Sequence, residues 1–153
     1  MKNKGEHGTG DDTIPLLSLW EPWASLVASG VKDVETRGKP APRTIVGRRI
    51  AIHSTLSKIG IRLAMEDPLL LAACLERGIL RKDFSLGHLH FGCVLATAYV
   101  EASVPVEMLT PDIYGNYSPG RYGWVLSDIR RLEVPFACRG AQWIGRVKLP
   151  DAP

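Results

Sequence analysis

The chain has 153 residues, 45% of them hydrophobic and 23% charged, with 19 Lys and Arg against 16 Asp and Glu for a net charge of +3. That length suits one domain burying roughly 68–70% of its unfolded surface, and the composition excludes a disordered chain or a coiled coil. The longest apolar run, Leu69–Leu75, is seven residues, far short of the roughly 20 that cross a bilayer, and the modest positive charge allows an anionic partner without the dense basic stripe of a strong duplex binder.

Residues 1–13 are polar and Gly-rich without the apolar stretch of a signal peptide, so a disordered leader is expected before a single domain over 14–150. Ile14–Trp20 reads as a first strand, and Pro22 as the first turn of a short helix, because its missing N–H has no partner to lose there. Trp23, Leu26 and Val27 share one helical face, and Gly30 ends the helix. Val31–Arg37 reads as extended. The two-residue period then puts Glu35 and Arg37 on one face and Val34 and Thr36 on the other, while Lys32, just past the glycine, is free of that alternation.

Lys39–Thr44 is a proline-rich loop, and Arg48–His53 is a strand with Ile50 and Ile52 alternating against Arg49, Ala51 and His53. Thr55–Met65 and Pro68–Arg77 read as two helices broken at Asp67-Pro68 and stopped by Gly78. Phe91–Val100 is apolar on both faces, as a strand buried on both sides would be. Pro105–Leu109 is expected to form a helical turn, and Tyr114–Gly123 a long exposed loop carrying Tyr114, Tyr117 and Tyr122. Trp124–Leu132 and Gln142–Leu149 close the chain as strands, separated by Val134-Pro135 and the Arg139-Gly140 turn. Five to six strands and two helical segments, without regular strand–helix alternation, favour an α+β fold built on a small, partly closed β-barrel.

The cysteines, Cys74, Cys93 and Cys138, are far apart and lack a CxxC pair, which argues against a zinc ribbon or a disulfide framework and fits a cytoplasmic location. His88 and His90 have no third ligand near them in sequence, so no metal is expected, and no cofactor is implied. No GxSxG elbow surrounds Ser54 or Ser127.

The chemistry concentrates at Lys32, Glu35 and Arg37. Burying an unpaired charge costs several kcal/mol, so the three either lock a strand edge by pairing or line a hollow that uses them. In a hollow, Arg37 offers a planar fork to a phosphate, Lys32 a point charge or a base, and Glu35 an acceptor for an exocyclic amine. Trp20 and Trp23 either stack on bases or pack in the core, with Trp20 the better placed to line a mouth. His53, followed by Ser54, either carries protons or serves the structure. Arg48, Arg49, Arg130, Arg131, Arg139 and Arg146 are solvated unless several surround one opening.

In order, Pro22-Trp23-Ala24, Gly30-Val31-Lys32, Glu35-Thr36-Arg37, Ile52-His53, Tyr122-Gly123-Trp124 and Arg139-Gly140 resemble the ASCH family, named for homology to a transcriptional coactivator and built on a PUA-like β-barrel. The resemblance spans roughly residues 16–149. It implies a role with RNA or nucleotides, and for some members amidohydrolase activity on N4-acetylcytidine or ribonuclease activity. Lys32 fills the lysine place of the amidohydrolases, but Glu35 stands where their threonine would be, and Glu101 is a candidate for their glutamate. The expected ligand-binding set is Trp20, Lys32, Glu35, Arg37, His53, Ser54, Tyr122, Trp124 and Arg139, with Lys32 and Glu35 handling protons in an enzyme.

Three functions stand open: single-stranded RNA or nucleotide binding, hydrolysis of RNA or a modified nucleoside, and a protein-interaction adaptor using the leucine-rich segment Leu56–Leu80. No membrane association is expected.

Overall fold

The computed structural model describes residues 12–151; most of the leader expected over 1–13 therefore lies outside the described residues. The elements are β1 (Ile14–Leu19), α1 (Trp23–Ala28), β2 (Val34–Arg37), β3 (Arg49–Ser54), α2 (Ile59–Met65), α3 (Pro68–Glu76), β4 (Cys93–Pro105), a 3-10 turn at Val106–Met108, β5 (Tyr122–Ala137) and β6 (Ile144–Val147). They make an α+β fold: one six-stranded mixed sheet in the order β2-β5-β4-β3-β1-β6, with β1 parallel to β3 and the other pairs antiparallel.

Period-two alternation sorts the strand residues between two cores. Leu17 and Leu19 of β1, Ile50 and Ile52 of β3 and Ala98 and Val100 of β4 bury against Ala24, Val27 and Ala28 of α1, with Trp124 of β5 in the same cluster. Leu16, Ala51 and Val94 point the other way and meet Val147 of β6. Each fully buried Leu, Ile or Val contributes about 1.5–3 kcal/mol, so α1 is held by its apolar stripe and not by its two-turn length. Gly30 ends it with φ of +78°, a left-handed conformation in which a side chain is strained. The Glu21–Pro22 peptide is cis, and helical geometry begins at Trp23. A third cluster joins Leu26 to Ile61, Ala64, Leu70, Cys74 and Leu80, and so fastens α2 and α3 to α1.

The structure corrects two expectations. The sheet is not closed into a barrel: β2 and β6 are its two edges and share no ladder. Both are four residues long, and side chains from β2 and from the segment before β6 reach across to β1 and β5 where backbone pairing does not. Arg37 Nη2 donates to the Ser18 carbonyl at 3.3 Å, and the Trp143 ring, just before β6, meets Trp124 edge-on at 5.7 Å. Secondly, β5 runs through Val134-Pro135 instead of ending there. Its pairing with β4 jumps from Ala96↔Arg131 to Val94↔Phe136, so Pro135 sits in a bulge, where the missing N–H leaves no ladder bond unmade.

Among the described residues no helix is long and apolar enough to cross a membrane.

Candidate functional site

The unclosed seam between β2 and β1 opens into a cavity of about 1010 Å³. β1 supplies Ser18 and Leu19, β2 supplies Glu35, Thr36 and Arg37, and the 138–142 segment before β6 supplies Cys138, Arg139, Gly140, Ala141 and Gln142. Trp20, Trp23, Leu56, Leu63 and Leu70 form an apolar side, and Ile113–Asn116 with Arg121 form a further part of the lining. Lys32, Arg37, Arg121 and Arg139 stand against Glu35 and Asp67, so cations outnumber carboxylates.

Lys32, Glu35 and Arg37 are both paired and cavity-lining. Glu35 Oε2 lies 3.6 Å from Lys32 Nζ and its Oε1 3.3 Å from Arg37 Nε, while Lys32 also donates to the Val34 carbonyl. Lys32 is almost wholly buried. A carboxylate between two cations at low dielectric holds all three side chains in place. Behind them, Arg37 Cζ lies 5.4 Å from the centre of the Trp124 ring, a cation–π contact favoured by the register Glu35↔Trp124 and Arg37↔Tyr122.

Of the expected ligand-binding set, Trp20, Lys32, Glu35, Arg37, His53 and Arg139 line the cavity. Ser54, Tyr122 and Trp124 do not. Ser54 Oγ turns to the His90 carbonyl, Trp124 is fully buried with its Nε1 donating to the Lys39 carbonyl at 3.1 Å, and Tyr122 packs against the α1 core. Glu101 lies outside the cavity lining, exposed and accepting from Ser127 Oγ at 2.5 Å. His88 Nε2 meets the Ile79 carbonyl at 2.9 Å, and among the described residues no cluster of three metal-ligating side chains forms.

The loop read as exposed is instead tied down as a wall. Trp23 Nε1 donates to the Tyr114 carbonyl at 2.8 Å, the Asn116 N–H to Thr36 Oγ1 at 2.9 Å, and Arg121 Nη2 to the Thr36 carbonyl at 3.2 Å. Tyr117 donates to Asp112 at 2.8 Å; burial, reinforced by that bond, pushes its hydroxyl well above the ordinary phenol range.

Ser18, Thr36, Thr55, Asn116 and Arg121 are lining residues that sequence reasoning missed, while Trp23, weighed there between base stacking and core packing, also lines the cavity. Ser18 had a signal, since it alternates with the buried Leu17 and Leu19 on a strand. The parallel register pairs it with His53, and Ser18 Oγ lies 3.1 Å from His53 Nδ1. On the other side of the ring, Nε2 lies 2.9 Å from the Cys138 carbonyl. The Cys138 thiol is raised above its ordinary range by burial and then by neighbouring Cys93, which disfavours the reactive thiolate. Thr55 Oγ1 is buried without a hydrogen-bond partner among the described residues.

No protein-family model matches the sequence. No curated protein matches it either. Solved structures do: crystal structures of the ASCH protein from Zymomonas mobilis and of two of its mutant proteins superpose with a TM-score of 0.50 at 20% sequence identity. The match covers 87% of this chain and 86–88% of theirs, so the fold is that of an ASCH domain.

Proposed function

We propose that this ASCH-type fold binds single-stranded RNA or a nucleotide in the seam cavity around Lys32, Glu35 and Arg37. The observation that carries the reading is the convergence of four cationic side chains with a half-exposed tryptophan, Trp20, on one hollow of about 1010 Å³. Phosphates are met by guanidinium forks and ammonium charges, and a base face by a rigid ring whose stacking contributes roughly 1–3 kcal/mol. Glu35, fixed by its two cations, presents an acceptor for an exocyclic amine.

Titration with short single-stranded oligonucleotides at several salt concentrations tests it. Affinity falls as salt rises, with a log–log slope near −0.7 per phosphate contact. Arg139→Ala, which removes a lining cation, weakens binding and flattens that slope by about one contact. Salt-independent absence of binding to oligonucleotides and modified nucleosides alike would sink the reading.

A second reading, hydrolysis of RNA or of a modified nucleoside such as N4-acetylcytidine, draws on the buried Lys32 with Glu35 beside it. Incubation with both substrates separates it from simple binding, because Lys32→Ala then abolishes turnover.

A further inference from the structure

We infer that Ser18 and His53 form a nucleophile–base pair for acyl transfer from a carboxylic ester, a chemistry separate from the Lys32–Glu35 cluster. The tautomer follows from the partners. The Cys138 carbonyl, 2.9 Å from Nε2, only accepts, so Nε2 carries the ring proton. In the neutral imidazole Nδ1 is then an acceptor, and the Ser18 hydroxyl, 3.1 Å away, donates to it. The carbonyl therefore does for His53 what a carboxylate does in a hydrolase triad: it fixes the ring and its tautomer while the free nitrogen faces the hydroxyl.

Three further observations make this a site and not just a strand-to-strand bond. Ser18 and His53 both line the large cavity, so a substrate reaches the hydroxyl. Gly140 lies against the pair: a Cβ there would be 2.8 Å from His53 Cε1 and 3.0 Å from Ser18 Oγ, so only glycine lets the backbone pack this closely and hold the two side chains together. The Ala141 N–H donates to Ser18 Oγ at 3.2 Å, which fixes the hydroxyl so that its own proton is directed to His53 Nδ1.

The step is balanced within these groups. Ser18 Oγ attacks the ester carbonyl carbon while its proton passes to His53 Nδ1. The tetrahedral intermediate then breaks its bond to the leaving oxygen, which takes that proton and departs as the alcohol. Water attacks the acyl-serine, gives a proton to Nδ1, and the acid leaves as Ser18 Oγ takes the proton back. The substrate class follows from the walls: Leu56, Leu63 and Trp20 receive the acyl group, while Arg37 and Arg139 favour an alcohol part bearing negative charge.

The test is labelling of the full chain with a fluorophosphonate, read by intact mass and peptide mapping, together with hydrolysis of 4-nitrophenyl acetate. The expected result is one adduct, on Ser18, and ester hydrolysis that falls about 100-fold or more in Ser18→Ala and His53→Gln, with circular dichroism showing both variants folded. An unlabelled Ser18 in the native chain overturns the inference, whether or not the variants fold. So does Ser18 labelling that is undiminished in a folded His53→Gln protein, since the hydroxyl would then act without its base. Labelling is read without RNA, and RNA binding without labelling, so failure of either leaves the other standing.

Discussion

Two triplets in this molecule have the same charge pattern and opposite surroundings. Lys32–Glu35–Arg37 has side chains that are 2, 12 and 21% exposed, whereas Arg49–Asp128–Arg130 has side chains that are 27, 52 and 67% exposed. Each is a carboxylate held between two cations, in the second with Arg130 Nη2 2.7 Å from Asp128 Oδ2. In water such pairing is screened and contributes little. In the seam, removing one partner strands the others away from solvent. One charge pattern is therefore a structural commitment in one place and surface decoration in the other.

The largest expected effect breaks the buried triplet. Glu35→Ala leaves Lys32 with only the Val34 carbonyl, and stability falls by about 3–5 kcal/mol, read as the denaturant midpoint. Unfolding at the wild-type denaturant concentration would erase the distinction between the two triplets.

A smaller effect sharpens it through Glu21, a fully buried carboxylate whose hydrogen-bond donors are the N–H and hydroxyl of Ser25, at 3.0 and 2.8 Å. Burial raises its pKa above the ordinary carboxylate value, with the Ser25 bonds opposing. The native state then holds its proton more tightly than the unfolded chain, so stability is highest below the ordinary carboxylate range and declines as pH rises through the raised value. Glu21→Gln removes that decline. Stability measured across the acid-to-neutral range checks it, and an unchanged pH dependence would place the titrating group elsewhere.

The smallest effect lies at the surface. Hydrogen bonding to Arg130 holds the Asp128 carboxyl below its ordinary range, a contribution present above the unfolded carboxylate pKa and lost as pH falls. At 52% exposure of the Asp128 side chain, salt screens it. Asp128→Asn keeps a residue that accepts the local φ of +43° and is expected to leave the neutral-pH midpoint unchanged.

Much of this organisation was legible from residue order. The alternation in Ile14–Leu19 and Arg49–Ser54 and the break at Asp67-Pro68 reflect local periodicity and capping, which act over a few residues. The grouping of Lys32, Glu35 and Arg37 was legible for the same reason. Pairings between distant segments were not. Ser18 meets His53 through a parallel register 35 residues apart, and the glycine-rich loop becomes a wall through Trp23–Tyr114, 91 residues apart. Neither has a local signature. The bulge at Pro135 likewise depends on what β4 offers opposite it, and the open seam depends on how short the two edge strands are.

The four tryptophans of the chain lie close around the seam: Trp20 and Trp23 in its lining, Trp124 beneath Arg37 and Trp143 edge-on to Trp124. The protein thus carries its own optical gauge. A guest that covers Trp20 moves its emission to the blue, and one that lifts Arg37 alters the light from Trp124, so occupancy is measurable without attaching a dye.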